Sequence, residues 1–563
     1  MIDAAQHTWR TLTPAERRRF VLLCTCDIAI HLVDLAFLAA LIWIVQAWTQ
    51  PVEVRAAPAA PFALRSWLLL PVFFMAFLLK NGAAFAVARA QNAFAGKVAL
   101  RLSRQALEAY QQIPFDRYVY TDSAAHIRSI SFQPLEFCQY LLAGLQGILT
   151  QCVLIAVAIG AILLYDGRLF LLLLGVLLPP AAATFYGLRK RIARARIGIR
   201  NSNEVATQFL NEALRGYVEG SVHGAHPFLA ARFTEARGVF ARHFFGSLSL
   251  QALPPRIIET FAVGGLLLLL WLARSEALGP SLLITAGAFL AAAYKIIPGL
   301  VKVINLGGLM RAYAFTAAAA PAPRRSTDDA PSVRSLWLEH ISFSYGASPV
   351  LRDLSVQAEA GDLVGISAPS GTGKSTLINL LLGFLEADAG TIRVNGAMRN
   401  ATARQQLWPT VAYVPQQPFV LHDTMLRNIL LSDEAPDEDR LRRALADAGF
   451  DAVLDAWPDG LQAIVAEGGR NLSGGQLQRL CLARALYRDA TLLLLDEPAS
   501  ELDAESEKNL LRCLRRLATG GRIVLLITHR RQSLSYCTHT WTLHEPATTA
   551  AALADARFSG VGR

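Results

Sequence analysis

The sequence predicts an all-α transmembrane domain of six helices, followed by an α/β domain of the P-loop class. Three observations predict this fold class. Six apolar stretches before residue 307 are each long enough to cross the roughly 30 Å hydrocarbon core of a bilayer as a helix. From residue 336 onward, apolar strand-like segments alternate with helical ones, which is typical of a largely parallel sheet. A glycine-rich loop ending in Lys-Ser follows the first of these parallel strands.

Composition supports a membrane protein. Of the 563 residues, 53% are hydrophobic and only 17% are charged, and the mean hydropathy is +0.34. A soluble chain with so few charges would not cover its surface, and six buried helices of a soluble domain would be shorter and less apolar. The net charge of +10 fits basic cytoplasmic loops, so we expect no nucleic-acid partner.

The spacing of the apolar stretches predicts the topology. The stretches fall near 20–48, 66–90, 138–165, 168–188, 252–273 and 281–306. The second and fourth are followed by long connections, near 91–137 and 189–250, that still have a helical pattern. The latter begins LRKRIARARIGIR, so the positive-inside rule places the long connections, the N-terminus and everything after the last span in the cytoplasm. We therefore expect a multi-pass protein of the cell membrane.

The predicted domain boundaries follow from changes in composition. Thr13, Pro14 and Glu16 suit the cap, first and third positions of a helix, which indicates a short interfacial helix before the first span. The segment AAAAPAPRRSTDDAPSVRS has no periodicity and is interpreted as a linker. The predicted parts are a transmembrane domain at 1–316, the linker at 317–335, the α/β domain at 336–546 and a tail at 547–563.

The first chemical motif is the loop after the strand Leu363–Ser367. Backbone N–H groups of such a loop and the following helix N-terminus bind phosphates, Lys374 reaches the β and γ phosphates, and the Ser375 hydroxyl joins a Mg²⁺ shell. Ala368 stands where the pattern usually begins with glycine, and alanine does not readily adopt positive φ. We expect a retained but slightly altered site formed by Ser370, Gly371, Thr372, Gly373, Lys374, Ser375 and Thr376.

The second motif is a pair of acids after the apolar strand 492–495. Asp496 at the strand end suits a Mg²⁺ ligand, and Glu497 suits the general base that activates water. Two solvated acids would be the alternative interpretation of an isolated pair. A phosphate-binding loop upstream on the same sheet argues against that alternative.

The third motif is LSGGQ, at 472–476, directly before a predicted helix. Ser473, Gly474, Gly475 and Gln476 form a second phosphate-binding cap at that helix N-terminus. With this motif and its spacing to Asp496, the sequence resembles the ATP-binding-cassette family. Asp423 and Ala466 are departures, since family members often have glycine at these positions.

The resemblance implies further roles for single residues. Tyr345 matches the aromatic residue that stacks on adenine, Gln416 the glutamine that senses Mg²⁺ and the attacking water, and His529 the histidine that contacts the γ phosphate. Lys374, Gln416, Glu497 and His529 would be the catalytic groups, with ATP and Mg²⁺ as cofactors. The segment 500–503 matches the loop that crosses the dimer interface. In this family each ATP lies between the phosphate loop of one subunit and the signature of the other, so the resemblance implies a homodimer or a heterodimer of half-transporters.

The membrane region resembles that of type IV exporters. In that family, short helices at the tips of the cytoplasmic excursions dock on the nucleotide-binding domains. By position, these tips lie near 114–123 and 215–223. ATP would close the two cassettes and turn the membrane halves outward, and hydrolysis would reset them.

Ionisable residues inside the predicted spans are candidates for a substrate cavity. Asp27, His31 and Asp34 share one helical face, Lys80 lies in the second span, and Lys295 and Lys302 share one face of the sixth. One interpretation is that Lys80 only neutralises Asp27 or Asp34. The other is a polar cavity that presents cations to an anionic headgroup.

Three segments also resemble bacterial flippases of lipid-linked oligosaccharides: FLLKNGAAF, LQALPPRIIETFAV and FLAAAYKIIPGLVKV. This resemblance implies a polyprenyl-pyrophosphate-linked glycan or a similar anionic amphiphile as substrate. A multidrug or lipid exporter, a peptide exporter and an ATP-gated regulator remain alternatives.

Overall fold

The computed structural model describes residues 2–49, 66–120, 123–165, 167–273, 296, 298–311, 313–314, 330–346, 348–369 and 371–543. It divides into two compact units. The first consists of Met1–Ile113 and Tyr120–Pro323, and the second of Pro114–Val119 and Arg324–Arg563. A six-residue piece of the first long connection therefore belongs with the α/β unit.

The chain up to residue 311 is helical wherever the structure describes it, apart from short turns. The helices are α1 (Ile2–Thr11), α2 (Pro14–Thr49), α3 (Ser66–Tyr110), α4 (Phe115–Tyr120), α5 (Ser123–Ile127), α6 (Gln133–Glu136), α7 (Ala143–Tyr165), α8 (Gly167–Arg215), α9 (Tyr217–Val222), α10 (His226–Ala273) and α11 (298–311). The long helices α8 and α10 pack against each other. The predicted helical character of both long connections is thereby confirmed.

Three helical segments among the described residues are long and apolar enough to cross a membrane. They are Pro14–Phe37, Leu70–Tyr110 and Ala125–Gly160. The predicted count of six spans is therefore not confirmed, although a membrane region of helices is. Lys295 and most of the predicted sixth span lie outside the described residues.

The predicted cap at Thr13 is confirmed by its hydrogen bonds, but the helix that begins there continues as the first span in α2, and the short helix before it is α1. The Thr13 N–H donates to Glu16 Oε2 at 2.9 Å, and the Glu16 N–H donates to Thr13 Oγ1 at 3.3 Å. This reciprocal capping satisfies donors that a helix N-terminus otherwise leaves free. Arg101 of α3 then binds Glu16 through two of its nitrogens, at 2.8 and 2.9 Å, and so ties the first turn of α2 to α3.

The third predicted span differs from a regular helix. Two π-helical turns, Arg128–Phe132 and Phe137–Leu142, precede α7. Pro134 lies between them in α6, and proline has no N–H for the helical ladder. The missing donor is a physical reason for the wider turns on either side of it.

The second unit contains two sheets. Its strands are β1 (Ser335–Tyr345), β2 (Ser348–Glu359), β3 (Leu363–Ser367), β4 (Ala389–Val394), β5 (Ala397–Met398), β6 (Val411–Val414), β7 (Leu492–Asp496), β8 (Ile523–Ile527) and β9 (His539–Thr542). β2-β1-β4-β5 form an antiparallel sheet, and β6-β7-β8-β3-β9 form a parallel one. The parallel sheet confirms the prediction, whereas the antiparallel sheet was not predicted. Val333 is buried and Ser335 begins β1, so the folded domain starts within the last residues of the predicted linker.

Helices of the second unit cover the parallel sheet. They are α12 (Lys374–Leu381), α13 (Ala401–Gln405), α14 (Met425–Leu430), α15 (Glu438–Ala448), α16 (Asp451–Leu454), α17 (Gly474–Tyr487), α18 (Ala504–Thr519) and α19 (Arg531–Leu534). Every residue of β7 and β8 is buried. Continuous apolar strands of this kind are expected at the centre of a parallel sheet, since both of its faces are covered.

Candidate active site

The phosphate-type loop has the geometry that its glycines predict. Gly371 and Gly373 have φ of +84° and +92°, a region that favours glycine. A Cβ on Gly373 would also lie 2.7 Å from Val350 Cγ1. Gly373 caps α12, whose first residue is Lys374, and the Thr372 hydroxyl donates to the Pro369 carbonyl at 2.8 Å. Ser370 lies outside the described residues.

Ala368 fits its position without backbone strain. It is 7% exposed and packs in the core of the α/β unit. It is not among the described non-glycine residues with positive φ. Ala466, another departure from the family pattern, has an extended conformation with φ −70° and ψ 165°. Neither position requires glycine, so the predicted alteration of the loop at Ala368 has no basis in its backbone.

The sheet brings the loop and the acid pair to one edge. β3 and β7 flank β8, and Ile366 and Asp496 both lie opposite Ile527. Since the carboxyl ends of parallel strands meet at one edge, the loop after β3 and the acids ending β7 become neighbours. Asp496 is buried, and burial raises the pKa of its carboxyl; the Glu497 charge raises it further, while the Lys374 ammonium lowers it.

Glu497 is the point at which four predicted residues meet. Its Oε1 lies 3.3 Å from Lys374 Nζ and 3.5 Å from His529 Nδ1, and its Oε2 accepts a hydrogen bond from Gln416 Nε2 at 3.3 Å. Glu497 itself has φ of +51°, which is sparsely populated by residues with a Cβ. The fold therefore holds this carboxylate in an unfavourable backbone conformation beside a lysine, a glutamine and a histidine.

The LSGGQ residues form a separate group at the start of α17. The Ser473 hydroxyl accepts from the Gln476 N–H at 3.3 Å, and Gln476 Oε1 accepts from the Ser473 N–H at 2.9 Å. A Cβ on Gly475 would lie 2.9 Å from the Glu501 carbonyl oxygen, so the glycine allows the loop at 500–503 to approach closely. The described contacts of this group are thus with its own helix and that loop.

Tyr345 presents its ring at the surface of the unit. The side chain is 44% exposed and its ring makes an edge contact with Phe343, with ring centroids 4.9 Å apart. An exposed ring held by a neighbouring aromatic side chain is suited to stacking on a planar ligand.

An ion pair beside the site was not predicted from sequence. Arg530, directly after His529, binds the buried carboxylate of Glu507 and donates from Nη2 to the Ser500 carbonyl at 3.3 Å. Ser533 also donates to Glu507, at 2.5 Å. One sequence feature could have indicated this ion pair. Glu507 is an acidic residue on the apolar face of α18, where its buried neighbours are Leu510, Leu511 and Leu514.

The piece of α4 that belongs to the second unit contacts an aromatic pair. Phe115 lies 5.1 Å from Phe384, and Phe384 lies 5.3 Å from Trp408, measured between ring centroids. Three side chains fix the backbone that carries Phe384: Trp408, Gln405 and Arg404 donate to the carbonyls of Leu382, Gly383 and Leu385 at 2.8, 2.7 and 2.9 Å. We call Phe384 and Trp408 the aromatic socket.

The ionisable residues of the membrane region form two groups. Lys80 pairs with Asp34, and His31 Nδ1 lies 3.4 Å from the same carboxylate. Asp27 instead accepts a hydrogen bond from the buried Thr150 hydroxyl at 2.7 Å. The side chain of Lys302 is exposed and passes Gly147, one turn of α7 before Thr150, with Cε 3.8 Å from the position of a Cβ there. Lys80 is therefore neutralised by Asp34 and not by Asp27.

Comparison with known proteins agrees with this geometry. Residues 351–500 match the family model described as ABC transporter. A bacterial Atm1-family ABC exporter, solved with ATP bound, has the same fold: the TM-score is 0.78 over 98% of this chain and 100% of that chain, at 20% identity.

Two relatives are named ATP-dependent lipid A-core flippase. The protein from Burkholderia pseudomallei (strain 1710b) is 39% identical over 204 residues, which are 36% of this chain and 34% of that protein. The protein from Ralstonia nicotianae is 28% identical over 454 residues, 78% of this chain and 76% of that protein. The chain thus aligns with about a third of the length of the first curated relatives that it matches.

Proposed function

We propose that this chain, which belongs to the ABC transporter family, is one half of an ATP-driven exporter that moves an amphipathic lipid with an anionic headgroup outward across the cell membrane. The convergence of Lys374, Gln416 and His529 on Glu497 is the observation that supports hydrolysis. A lysine that can bind phosphate, a glutamine that can orient water and a histidine that can contact the γ phosphate surround one carboxylate, which suits phosphoryl transfer to water.

The residues of the site fit ATP and Mg²⁺. Gly371, Gly373 and the N-terminus of α12 offer backbone N–H groups to phosphates, and Lys374 supplies the positive charge. The Asp496 carboxylate, the Ser375 hydroxyl and the Gln416 amide are hard oxygen ligands of the type that Mg²⁺ prefers. A divalent cation would also compensate the negative charge that burial disfavours at Asp496.

In this proposal Glu497 is the general base. It takes a proton from a water molecule, the hydroxide oxygen forms a bond to the γ phosphorus, and the bond to the β–γ bridging oxygen breaks to release ADP. His529 and Gln416 orient the γ phosphate and the water. Bound Mg²⁺ would supply charge stabilisation on the phosphate oxygens.

The signature residues act in trans in this proposal. Ser473 and the N–H groups of α17 would bind the ATP held by the Lys374 loop of a second copy, because each chain supplies one loop and one signature. Glu497 and LSGGQ are both intact, which favours a homodimer with two competent sites. A heterodimer with a different half-transporter is the alternative.

Coupling to transport would pass through the tips of the long connections. Phe115 in the aromatic socket is the contact for the first tip. The second tip, α9, carries Tyr217, Val218 and Val222 with 68, 65 and 75% of their surface exposed. An apolar surface of this kind is suited to docking on the α/β unit of the partner.

The substrate proposal combines the exposed Lys302 with the names of the relatives. An exposed cation beside the Asp27–Thr150 contact is suited to attract an anionic headgroup, and the named relatives act on lipid A-core. The finer proposal of a lipid-linked oligosaccharide rests on the segments at 77–85, 250–263 and 289–303. Both substrates join a lipid to a glycan, so they are the two arms of the test.

The test measures ATP hydrolysis and lipid movement in proteoliposomes that contain lipid A-core or a polyprenyl-pyrophosphate-linked glycan. We expect one of these lipids to stimulate hydrolysis and to become accessible in the opposite leaflet. Glu497→Gln should abolish lipid movement and leave only a small residual hydrolysis, and Lys302→Ala should weaken stimulation several-fold more than Lys97→Ala, which removes an exposed lysine of α3. Hydrolysis without movement of either lipid contradicts the substrate proposal, and no hydrolysis contradicts the whole function.

A further inference from the structure

Gln478, two residues beyond the LSGGQ motif, is a buried amide in the first turns of α17. It is 5% exposed, and burying an amide is costly unless its polar atoms find partners. No sequence motif described above includes this residue. Its partners in the structure are the backbone of Glu497 and the loop at 500–503.

The Gln478 side chain makes three hydrogen bonds. Nε2 donates to the Glu497 carbonyl at 2.9 Å and to Ser500 Oγ at 3.0 Å, and Oε1 accepts from the Glu501 N–H at 3.2 Å. Both N–H groups and one acceptor site of the amide are therefore used. A single side chain of α17 thus holds three successive points on the segment that follows β7.

The backbone at Glu497 needs such support. A residue with a Cβ is strained at φ +51° and persists there only when its surroundings fix it. The Glu497 N–H donates to the Ile527 carbonyl at 3.1 Å, and the Glu497 carbonyl accepts from Gln478 Nε2 at 2.9 Å and from the Ser500 N–H at 3.2 Å. Gln478 thus binds the Glu497 carbonyl and, through Ser500 Oγ, the residue that also binds it, and this set of bonds aims the carboxylate at Lys374, Gln416 and His529.

Arg530 provides a comparison on the other side of the same loop. It binds the Ser500 carbonyl and the Glu507 carboxylate, so it holds the loop in place. Gln478 holds the loop as well, but it also binds Glu497 directly. A change at Gln478 therefore reaches the proposed general base through one hydrogen bond.

We propose that Gln478 is a positioning residue that links the signature helix to the general base. The inference rests on the proposed ATPase function. Ser473, which would bind the partner's nucleotide, and Gln478 belong to the first turns of the same rigid helix. A shift of α17 on nucleotide binding moves the Gln478 amide, and with it the Glu497 carbonyl and the direction of the carboxylate.

The experiment compares Gln478→Met with Thr491→Val in the full-length protein. Methionine has a similar length but cannot make these bonds, so we expect kcat for ATP to fall by about 10- to 100-fold, as small misplacements of reacting groups do. KM for ATP should change less than about threefold, since Gln478 does not touch the phosphate loop. Thr491→Val removes a hydrogen bond to Val333 at the opposite end of β7 and should leave kcat unchanged at a similar loss of Tm.

A second variant covers the case in which Gln478→Met does not fold. Gln478→Glu keeps the size and the acceptor for Glu501 but replaces the donor to Glu497, and the same loss of kcat is expected. An unchanged kcat in the variant that folds, or a higher KM at the wild-type kcat, overturns the inference. Wild-type protein without ATPase activity would contradict the proposed function instead.

A double variant separates positioning from general damage. In a Glu497→Gln background, Gln478→Met should lower the residual hydrolysis less than about twofold, because both changes act on the same group and are not additive. If Gln478→Met lowers the hydrolysis rate as strongly in the Glu497→Gln background as it does in the wild type, the positioning role is contradicted.

Discussion

At the scale of single residues, burial sets the chemistry of Asp496. The carboxylate ends a strand whose residues are all buried, and burial together with the Glu497 charge raises its pKa. Burial and the Asp496 charge likewise raise the pKa of the neighbouring Tyr413 to about 12, so this phenol stays neutral near pH 7.

This shift predicts a pH dependence that Mg²⁺ should modify. Because the pKa is raised, Asp496 takes up its proton at a higher pH than an exposed aspartate, and a protonated carboxyl binds Mg²⁺ poorly. We expect ATPase activity to fall at a higher pH under limiting Mg²⁺ than under saturating Mg²⁺. Tyr413→Phe is the control, and its pH profile should differ between limiting and saturating Mg²⁺ by the same amount as that of the wild type. Identical profiles at both concentrations would contradict the assignment.

The Asp496 carboxyl also affects the free energy of unfolding, and the direction of the effect follows from its raised pKa. A raised pKa means that the folded state holds the Asp496 proton more tightly than the unfolded state does. The contribution of this group to the unfolding free energy therefore rises as the pH falls through its folded pKa. The charged form at neutral pH costs stability that a bound cation would restore.

At the scale of elements, α4 is a short helix that contacts the aromatic socket, and the backbone of that socket is rigid. Gly383, before Phe384 in the aromatic socket, has φ of +74°, and a Cβ there would lie 2.4 Å from the Ala401 carbonyl oxygen. With three side chains bonded to the carbonyls around it, this turn has little freedom to adapt. Movement of α4 should therefore be transmitted to the rest of the second unit rather than absorbed by this turn.

We predict that Phe115→Ala uncouples substrate from ATPase activity. The change removes an aromatic contact worth about 0.5–1.5 kcal/mol and should reduce the ratio of substrate-stimulated to basal hydrolysis by several-fold. Basal hydrolysis should stay within about twofold of wild type, because the Glu497 group is untouched. Val119→Ala, which shortens an exposed apolar side chain of the same helix, should keep the ratio. A wild-type ratio in Phe115→Ala would show that the socket does not couple.

At the scale of the whole molecule, the proposed active site needs two chains. The Lys374 loop and the LSGGQ cap each bind phosphate, and one chain carries one of each. Two copies arranged head to tail complete two sites, whereas a single copy completes neither. The arrangement predicts a pattern of complementation between defective chains.

Pairs of differently tagged chains in a Glu497→Gln background test this arrangement. When Lys374→Ala is on one chain and Ser473→Arg on the other, both lesions fall in one composite site, and the second site should retain occluded ATP. When both lesions are on the same chain, each composite site has one lesion and no ATP should be retained. Occlusion in the second pair alone would show that each site forms within one chain.

Elements with local causes could be predicted from the sequence alone. The glycines with positive φ in the phosphate loop, the capping pairs at Thr13–Glu16 and Ser473–Gln476, and the parallel strands β3, β6, β7 and β8 all follow from short patterns. The family resemblance named Lys374, Gln416, Glu497 and His529 as catalytic groups, and the structure shows that the other three meet at Glu497.

The pairing of side chains that are far apart in the sequence could be read only from the tertiary structure. Lys80 binds Asp34 and leaves Asp27 to Thr150, because helix rotation selects one carboxylate among several on the same face. Ala368 is unstrained because its own φ, and not the family pattern, decides whether glycine is needed. The contacts of Phe115 with Phe384 and of Gln478 with Glu497 join residues far apart in the chain, and no local pattern records them. Local patterns report backbone preference and burial, whereas pairing depends on how whole elements pack.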